Sequence, residues 1–370
     1  MPSIAAAPAA LLSAVHHAIH QAGGWLPFDR FMALALYAPE GGYYAGGLPK
    51  FGAMPASGSD FVTAPELSPL FGRALAVQVA QALVATGTVD VWEFGAGTGA
   101  LARQVLDALT ADERFEGVRY HIVELSGSLR ERQRAALAAH AGRVVWENAW
   151  PERLEGVVLG NEVLDAMPVL LLHRLAGEWF ERGVVAEGDG FAWADRPTHL
   201  RPPVEPDGPQ DYLSEIHPQA EAFVKSLSER LVRGAAFFID YGFPEAEYYH
   251  PQRHMGTLMC HQGHRADGNP LVDAGAKDIT AHVNFTGIAL AAQNAGQQVL
   301  GYTSQARFLI NCGLVDLASA ASVAERAQAM KLVHEHEMGE LFKVLAFAPG
   351  FSADGWEPLG FAQGDRIHTL

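Results

Sequence analysis

The chain has 370 residues, of which 49% are hydrophobic and 18% charged, and its formal net charge is −16. That length fits one elaborated domain or a core with a smaller lobe, and an apolar fraction near one half excludes extensive disorder. No run of five or six basic residues occurs, which argues against a phosphate-tracking surface and so against nucleic acid as a partner, while two cysteines, Cys260 and Cys312, without any CxxC exclude disulfide stapling and a zinc knuckle.

The alanine-rich start, MPSIAAAPAALLSAVHHAIH, has its first Lys or Arg only at Arg30, so it lacks the basic region of a signal peptide and reads as an ordinary helix. No window reaches 18 uninterrupted apolar residues, so no membrane span is expected, and a bacterial cytoplasmic location is. Apolar residues at three-and-four spacing predict helices over 8–22 and 28–36. From Tyr37 to Asp60 glycine, proline and serine are too dense for a regular element. The interleaved Tyr37, Tyr43, Tyr44, Phe51 and Phe61 point to an ordered, functional lid. Ser68 and Pro69 read as an N-cap and first helical residue, launching a helix through about residue 85.

Alternation follows. Strands expected at 89–94, 118–123, 143–146 and 156–160 are separated by helical patterns at 99–110 and 126–140, the second capped by Ser126. This is the rhythm of an α/β protein with a parallel, doubly wound sheet. Residues 168–195 read as short strands of a small β insertion, a proline-rich piece covers 196–209, and a helix is expected near 217–231. The sheet resumes with AAFFIDYG, ending at Asp240, and is completed by QQVLGY, helices over SQARFLINCG and 320–333, and the strand FKVLAFAP. The division expected is 1–86 for N-terminal helices and covering loop, 87–350 for the main domain with insertions near 168–215 and 243–285, and 351–370 for a C-terminal tail.

The stretch VWEFGAGTGAL, 91–101, places Gly95, Gly97 and Gly99 directly after the first strand, a tight turn hugging a nucleotide. The same stretch fits the dinucleotide fingerprint, so the glycines alone leave the ligand open. Residues just after the other strands decide more, because open sheets bind ligands at the carboxyl ends of their strands. Glu93, at the tip of the first strand, repels a pyrophosphate and attracts the ammonium and sulfonium of S-adenosylmethionine, a difference of roughly one to a few kcal/mol in a partly buried site. Glu124 can accept bonds from ribose hydroxyls, and Asn148 can contact an adenine edge, although a helix-start carboxylate and a turn residue are the plainer readings of the two. The cluster GNEVLDAMPV projects Asn161 and Glu162 into the cleft beside the glycine turn, with Asp165 close behind. His261, His264 and His282 lack a metal-ligand spacing, and HEHEM at 334–338 is not HExxH, so no metal is expected.

FVTAPELSPLFG (61–72), EFGAGTGAL (93–101), IVELS (122–126), GNEVLDAMPV (160–169), IDYG (239–242) and DITAHVNFT (278–286) together resemble the MidA family over most of the chain. That family is a branch of class I S-adenosylmethionine methyltransferases whose mitochondrial members methylate an arginine on a core subunit of respiratory complex I. The resemblance implies a seven-stranded Rossmann-like sheet with an N-terminal helical and lid segment. It implies a cofactor held by Glu93, Gly95, Gly97, Gly99 and Glu124, with Asn161 nearby and the loop up to Thr63 and Glu66 closing over it. It also implies a protein substrate, a complex I subunit or its bacterial counterpart. Two departures stand out: Asn284 where the family pattern has an aspartate, and Met259 where it has a basic residue. For an arginine acceptor, Glu162 would form one carboxylate fork with Asp165 or Glu66 as second partner. The rival readings are a small-molecule methyltransferase with the same cofactor and a non-catalytic assembly factor that keeps the fold.

Overall fold

The computed structural model describes residues 8–45, 62–124, 126–263 and 265–370. Its centre is a sheet of eight strands. Seven form the main path: β1 (Asp90–Phe94), β2 (Arg119–Val123), β3 (Val144–Glu147), β4 (Leu154–Asn161), β5 (Leu231–Phe243), β6 (Gln297–Ser304) and β7 (Phe342–Pro349). Across the sheet they lie in the order β6-β7-β5-β4-β1-β2-β3. The eighth, Val283–Asn284, runs parallel to the end of β5. The chain reverses its direction of travel between β1 and β4, so a crevice opens at the carboxyl ends of those two strands.

β1 to β5 are parallel, whereas β7 runs antiparallel to both β5 and β6. The parallel strands expected over 89–160 are present, and β7 is the one strand of the main path whose antiparallel direction was not anticipated. Every residue of β7 is buried, and a continuous apolar run reports burial on both faces without reporting direction.

The helix Pro69–Thr86 packs on one face of this sheet. Ser68 caps it, its hydroxyl accepting from Leu70 N at 3.3 Å, and Gly87 ends it with φ 62°, so start and stop follow ordinary capping chemistry. The helix has a mean hydropathy of 1.2 over 18 residues, enough by length and composition to cross a membrane. Its apolar length faces protein instead: Leu70, Phe71, Leu75 and Val79 are fully buried in the main core with Val105, Tyr120, Val157 and Phe237. The helices expected at 99–110 and 126–140 are Ala100–Leu109 and Gly127–Ala136, the second followed by a short 3-10 turn. The helix expected over 320–333 is Val323–Val333, and a further short helix, Leu314–Ala320, precedes it.

The β insertion is larger than expected. Leu170–Leu175, Glu178–Glu187, Gly190–Pro197 and Tyr212–Ile216 form an antiparallel sheet, and Leu26–Pro27 from the N-terminal region joins it by pairing Leu26 with Val184. The helices Ala9–Gln21 and Phe28–Tyr37 bury Leu11, Val15, Phe28, Phe31 and Met32 against Leu171 and Val184 of that sheet and Val169 just before it, and against Ile279 of a three-stranded sheet, Met259–Gln262, Arg265–Asp267 and Asp278–Thr280. The described residues of the two N-terminal helices and both insertions therefore share one core. The far end of the chain is also docked: Phe361 packs on Phe308, and Asp365 accepts from Tyr302 N at 2.9 Å. Of the lid expected over 37–60, residues 46–60 lie outside the described residues.

Candidate active site

A cleft of about 1150 Å³ opens at the switch point. The carboxyl ends of β1 and β2 make one half, and the carboxyl end of β4, the end of the helix Phe28–Tyr37, the three-stranded sheet and the start of β7 make the other. Among the described residues that line it are six carboxylates, Glu66, Glu93, Glu124, Glu162, Asp165 and Asp278, and no lysine or arginine.

In the first half the chain leaves β1 through Gly95 (φ 67°), Gly97 (φ 51°) and Gly99 (φ 85°). These left-handed values suit glycine, and an added Cβ at Gly95 would come within 2.8 Å of Val163. Gly95 and Gly97 line the cleft, while Gly99 stands one step back as the N-cap of the helix Ala100–Leu109. Glu93 is buried and accepts from the Tyr120 hydroxyl at 2.8 Å; burial raises its pKa to about 7. Glu124 accepts from Ser126 N at 2.8 Å and from Gln133 Nε2 at 3.3 Å. Gln133 also donates to the carbonyl of Gly97 at 3.0 Å and accepts from Trp146 Nε1 at 3.0 Å. One buried amide thus braces the glycine turn against the acidic group at the end of β2, a residue that sequence spacing did not mark. Backbone open to close approach, a fixed carboxylate beside it and a second carboxylate at the strand tip fit the nucleoside and the cationic tail of S-adenosylmethionine.

In the second half the chain leaves β4 through Asn161 and Glu162. Glu162 has φ 53°, a strained value for a non-glycine residue. Its N–H donates to Ile239 O at 2.9 Å, and the next three N–H groups, of Val163, Leu164 and Asp165, all reach Asp240 Oδ2 at 3.1, 2.9 and 3.3 Å. The end of β5 therefore clamps four consecutive amides of the loop that carries Glu162 and Asp165. Burial first, and then the negative charge of Asp165, raise the Glu162 pKa to about 8. Asp165 is 5% exposed, and its Oδ1 has no hydrogen-bond partner among the described residues. Burial pushes its pKa up, opposed by a hydrogen bond from Tyr241. Beside it the Tyr44 hydroxyl donates to Asp278 Oδ1 at 2.8 Å, and the Tyr37 hydroxyl to Ala166 O at 2.8 Å.

The structure brings Thr63, Glu66, Glu93, Gly95, Gly97, Glu124, Asn161, Glu162 and Asp165 to one cleft. Glu66 sits on the glycine-turn side, where the Thr98 hydroxyl donates to it. Asn148 is not brought there: its Oδ1 accepts from Arg130 Nη1 at 2.7 Å, outside the cleft lining. Tyr37 and Tyr44, expected as aromatics of an ordered loop, line the cleft, whereas Tyr241 and Asp278 are cleft residues that sequence reasoning missed; Tyr44 and Asp278 are 234 positions apart, and only packing joins them. Met259 lines the cleft, whereas Asn284 is a buried N-cap, accepting from Gly287 N at 3.3 Å. His261 and His282 line the cleft too, His264 falls outside the described residues, and among the described residues no group of three His, Cys, Asp or Glu could hold a metal ion.

A glycine turn at the switch point of this sheet, with acidic residues at both strand tips, defines a methyltransferase that uses S-adenosylmethionine. The chain belongs to the family described as "Putative S-adenosyl-L-methionine-dependent methyltransferase", whose model matches residues 74–303, and this is the MidA-type family its motifs resemble. A protein from Burkholderia thailandensis, crystallised with S-adenosyl-homocysteine, superposes with a TM-score of 0.91 at 52% identity, covering 98% of this chain and 96% of that one. The chain is 28% identical to the mitochondrial protein arginine methyltransferase NDUFAF7 homolog of Drosophila melanogaster, over 92% of this chain and 86% of that protein. It is 27% identical to the mitochondrial protein arginine methyltransferase NDUFAF7 of Homo sapiens, over 88% and 80%.

Proposed function

We propose that the chain methylates an arginine side chain of a protein, the acceptor guanidinium resting between Glu162 and Asp165. The observation that carries this reading is the second half of the cleft, where Glu162, Asp165 and Asp278 converge, and where among the described residues no lysine or arginine lines the cleft and the buried Asp165 Oδ1 lacks a partner. Buried carboxylates that raise one another's pKa are stabilised by a cation that enters with its own donors. A guanidinium supplies five N–H donors in a rigid plane and matches two carboxylates at once. Relatives named as protein arginine methyltransferases lend the same reading independent support.

S-adenosylmethionine, when bound, supplies an electrophilic methyl group, and Glu93, Gly95, Gly97 and Glu124 are the residues that would hold it. The protein's remaining work is positioning and charge placement. Glu162, set by the clamp from β5, orients one guanidino nitrogen and withdraws positive charge from it. Asp165 Oδ1 receives the proton that this nitrogen loses as it gains the methyl. The acceptor subunit proposed is the bacterial counterpart of the complex I core subunit, methylated in the cytoplasm. Deleting the gene, purifying the NADH:quinone oxidoreductase and mapping methylarginine by mass spectrometry tests it. Loss of one methylarginine in the deletion strain supports the reading, and a wild-type subunit without methylarginine refutes that acceptor. A labelled methyl group found on a metabolite instead would point to a small-molecule methyltransferase.

A further inference from the structure

We propose that the mouth of the cleft is a reading surface for the acceptor's neighbours, and that it takes an extended segment of a partner protein in which the cationic residue is flanked by apolar side chains. The inference rests on the arginine reading above and goes beyond it, because it says what surrounds the acceptor.

Three large apolar side chains both line the cleft and face solvent: Tyr37 is 45% exposed, Met259 38% and Leu341 40%. Their relation to the acidic floor follows from the fold. Met259 pairs with Thr280 and His261 with Asp278 across two antiparallel strands, so all four side chains share one face, and all four line the cleft. Leu341 immediately precedes β7, where Phe342 pairs with Tyr241 and packs edge-on against it at 5.3 Å, and Tyr241 is the residue bonded to Asp165. Tyr37 reaches the same place from the N-terminal lobe. Its ring is stacked on Tyr44 at 5.5 Å and its hydroxyl is tied to Ala166 O, next to Asp165. The three stand on separate elements lining one acidic cleft.

Exposed apolar side chains scattered singly need no explanation, but three grouped on the rim of an acidic pocket do. A free amino acid or a small cation would fill the floor and leave this rim in water. A peptide whose cationic side chain enters the floor brings its neighbours onto the rim, where each apolar contact removes area from water at about 25 cal/mol per Å². The absence of lysine and arginine among the described lining residues disfavours acidic neighbours on the same segment. Tyr37 is already fixed by its stacking and hydrogen bond, so its contact costs little ordering entropy.

The test uses the full chain with labelled S-adenosylmethionine and two sets of short peptides with a central arginine, one flanked by leucine, valine or phenylalanine and one by aspartate or serine, together with free arginine. The expected result is a kcat/KM at least ten-fold higher for the apolar set, with the preference carried mainly in KM. Met259→Asp and Leu341→Asp should each remove most of that preference while S-adenosyl-homocysteine affinity, measured by calorimetry, and melting temperature stay close to wild type. Equal rates on both peptide sets, or on free arginine, would overturn this inference and leave arginine methylation standing. No transfer to any arginine substrate, with label appearing on another molecule, would overturn both. If the two aspartate variants keep the full preference, the rim is not the reading surface.

Discussion

Asp240 is the residue on which the acceptor side of the cleft depends most, though it does not line the cleft. One of its oxygens accepts the three consecutive N–H groups of Val163, Leu164 and Asp165, and the other accepts Tyr241 N at 3.0 Å. Asp240→Ala leaves three N–H groups in a buried loop without a partner, and each such group costs about 1–3 kcal/mol. Against that loss stands relief of the repulsion that Glu162 and Asp165 exert on a carboxylate already made harder to ionise by burial. The net expectation is a destabilisation of about 3 kcal/mol for the alanine variant and about 1 kcal/mol for Asp240→Asn, which keeps an accepting oxygen. Glu162, held at φ 53° by this clamp, should relax away from its position. Methyl transfer should then fall about a hundred-fold in both variants, because a displacement near 1 Å costs that much. S-adenosyl-homocysteine affinity should change less than three-fold, since the glycine turn is untouched. Thermal melting, calorimetry and a methyl-transfer assay measure the three quantities. An alanine variant that melts within a degree of wild type and keeps its turnover would refute the reasoning.

Glu162→Gln keeps shape and most hydrogen bonds but removes charge, so methyl transfer should fall ten-fold or more while cofactor affinity barely changes; equal losses in both would assign Glu162 to the cofactor. Gly97→Val forces a β-branched side chain into a left-handed turn (φ 51°) and should abolish S-adenosyl-homocysteine binding in calorimetry with far-UV circular dichroism close to native. NAD should show no binding at micromolar concentration, because Glu93 disfavours a pyrophosphate at this turn. The pH dependence has a definite sign: Glu162 keeps its proton up to about 8 in the folded chain against an ordinary 4.5, so the folded state binds a proton that the unfolded chain releases, and stability falls as pH rises across that window. A plot of melting temperature against pH should be flatter there for Glu162→Gln, and an unchanged slope would count against burial of this carboxyl.

How much of this was readable from the residues depended on the range of the interaction. The alternation from 89 to 160 was legible because β1, β2 and β4 each bury a compact apolar run bounded by turn residues, and helix starts such as Ser68 and Ser126 carry their own capping chemistry. Residues at strand tips were legible because the topology sends them all to one edge. Asn148 shows the weakness of that rule: it stands after β3, but Arg130 binds it first. The direction of β7 and the size of the insertion were not legible, since periodicity reports which faces are buried and nothing about what buries them. That Tyr37 and Tyr44 meet Asp278 was not legible for a related reason. They come from a helix end, a loop and a short strand of a third sheet, and only the shared core of the N-terminal lobe and the insertions sets them around Asp165.

That shared core also explains why so acidic a cleft can exist. Six carboxylates around one opening repel each other, and ionised together in a partly dry site they would cost more than a marginally stable fold can spare. Burial lets the deepest of them hold protons while the cleft is empty, Glu93 up to about 7 and Glu162 up to about 8. A cationic ligand then displaces those protons as it binds, so the carboxylates ionise when a partner arrives and not before. Under the proposed reading, the cofactor's charged tail and a cationic acceptor would meet separate members of the set, Glu93 beside the glycine turn and Glu162 with Asp165 on the clamped loop. The N-terminal lobe and the insertions supply the burial, and the sheet supplies the placement. A small-molecule pocket would need only the second, whereas an opening that is acidic at its floor and apolar at its rim suits a side chain delivered on a protein.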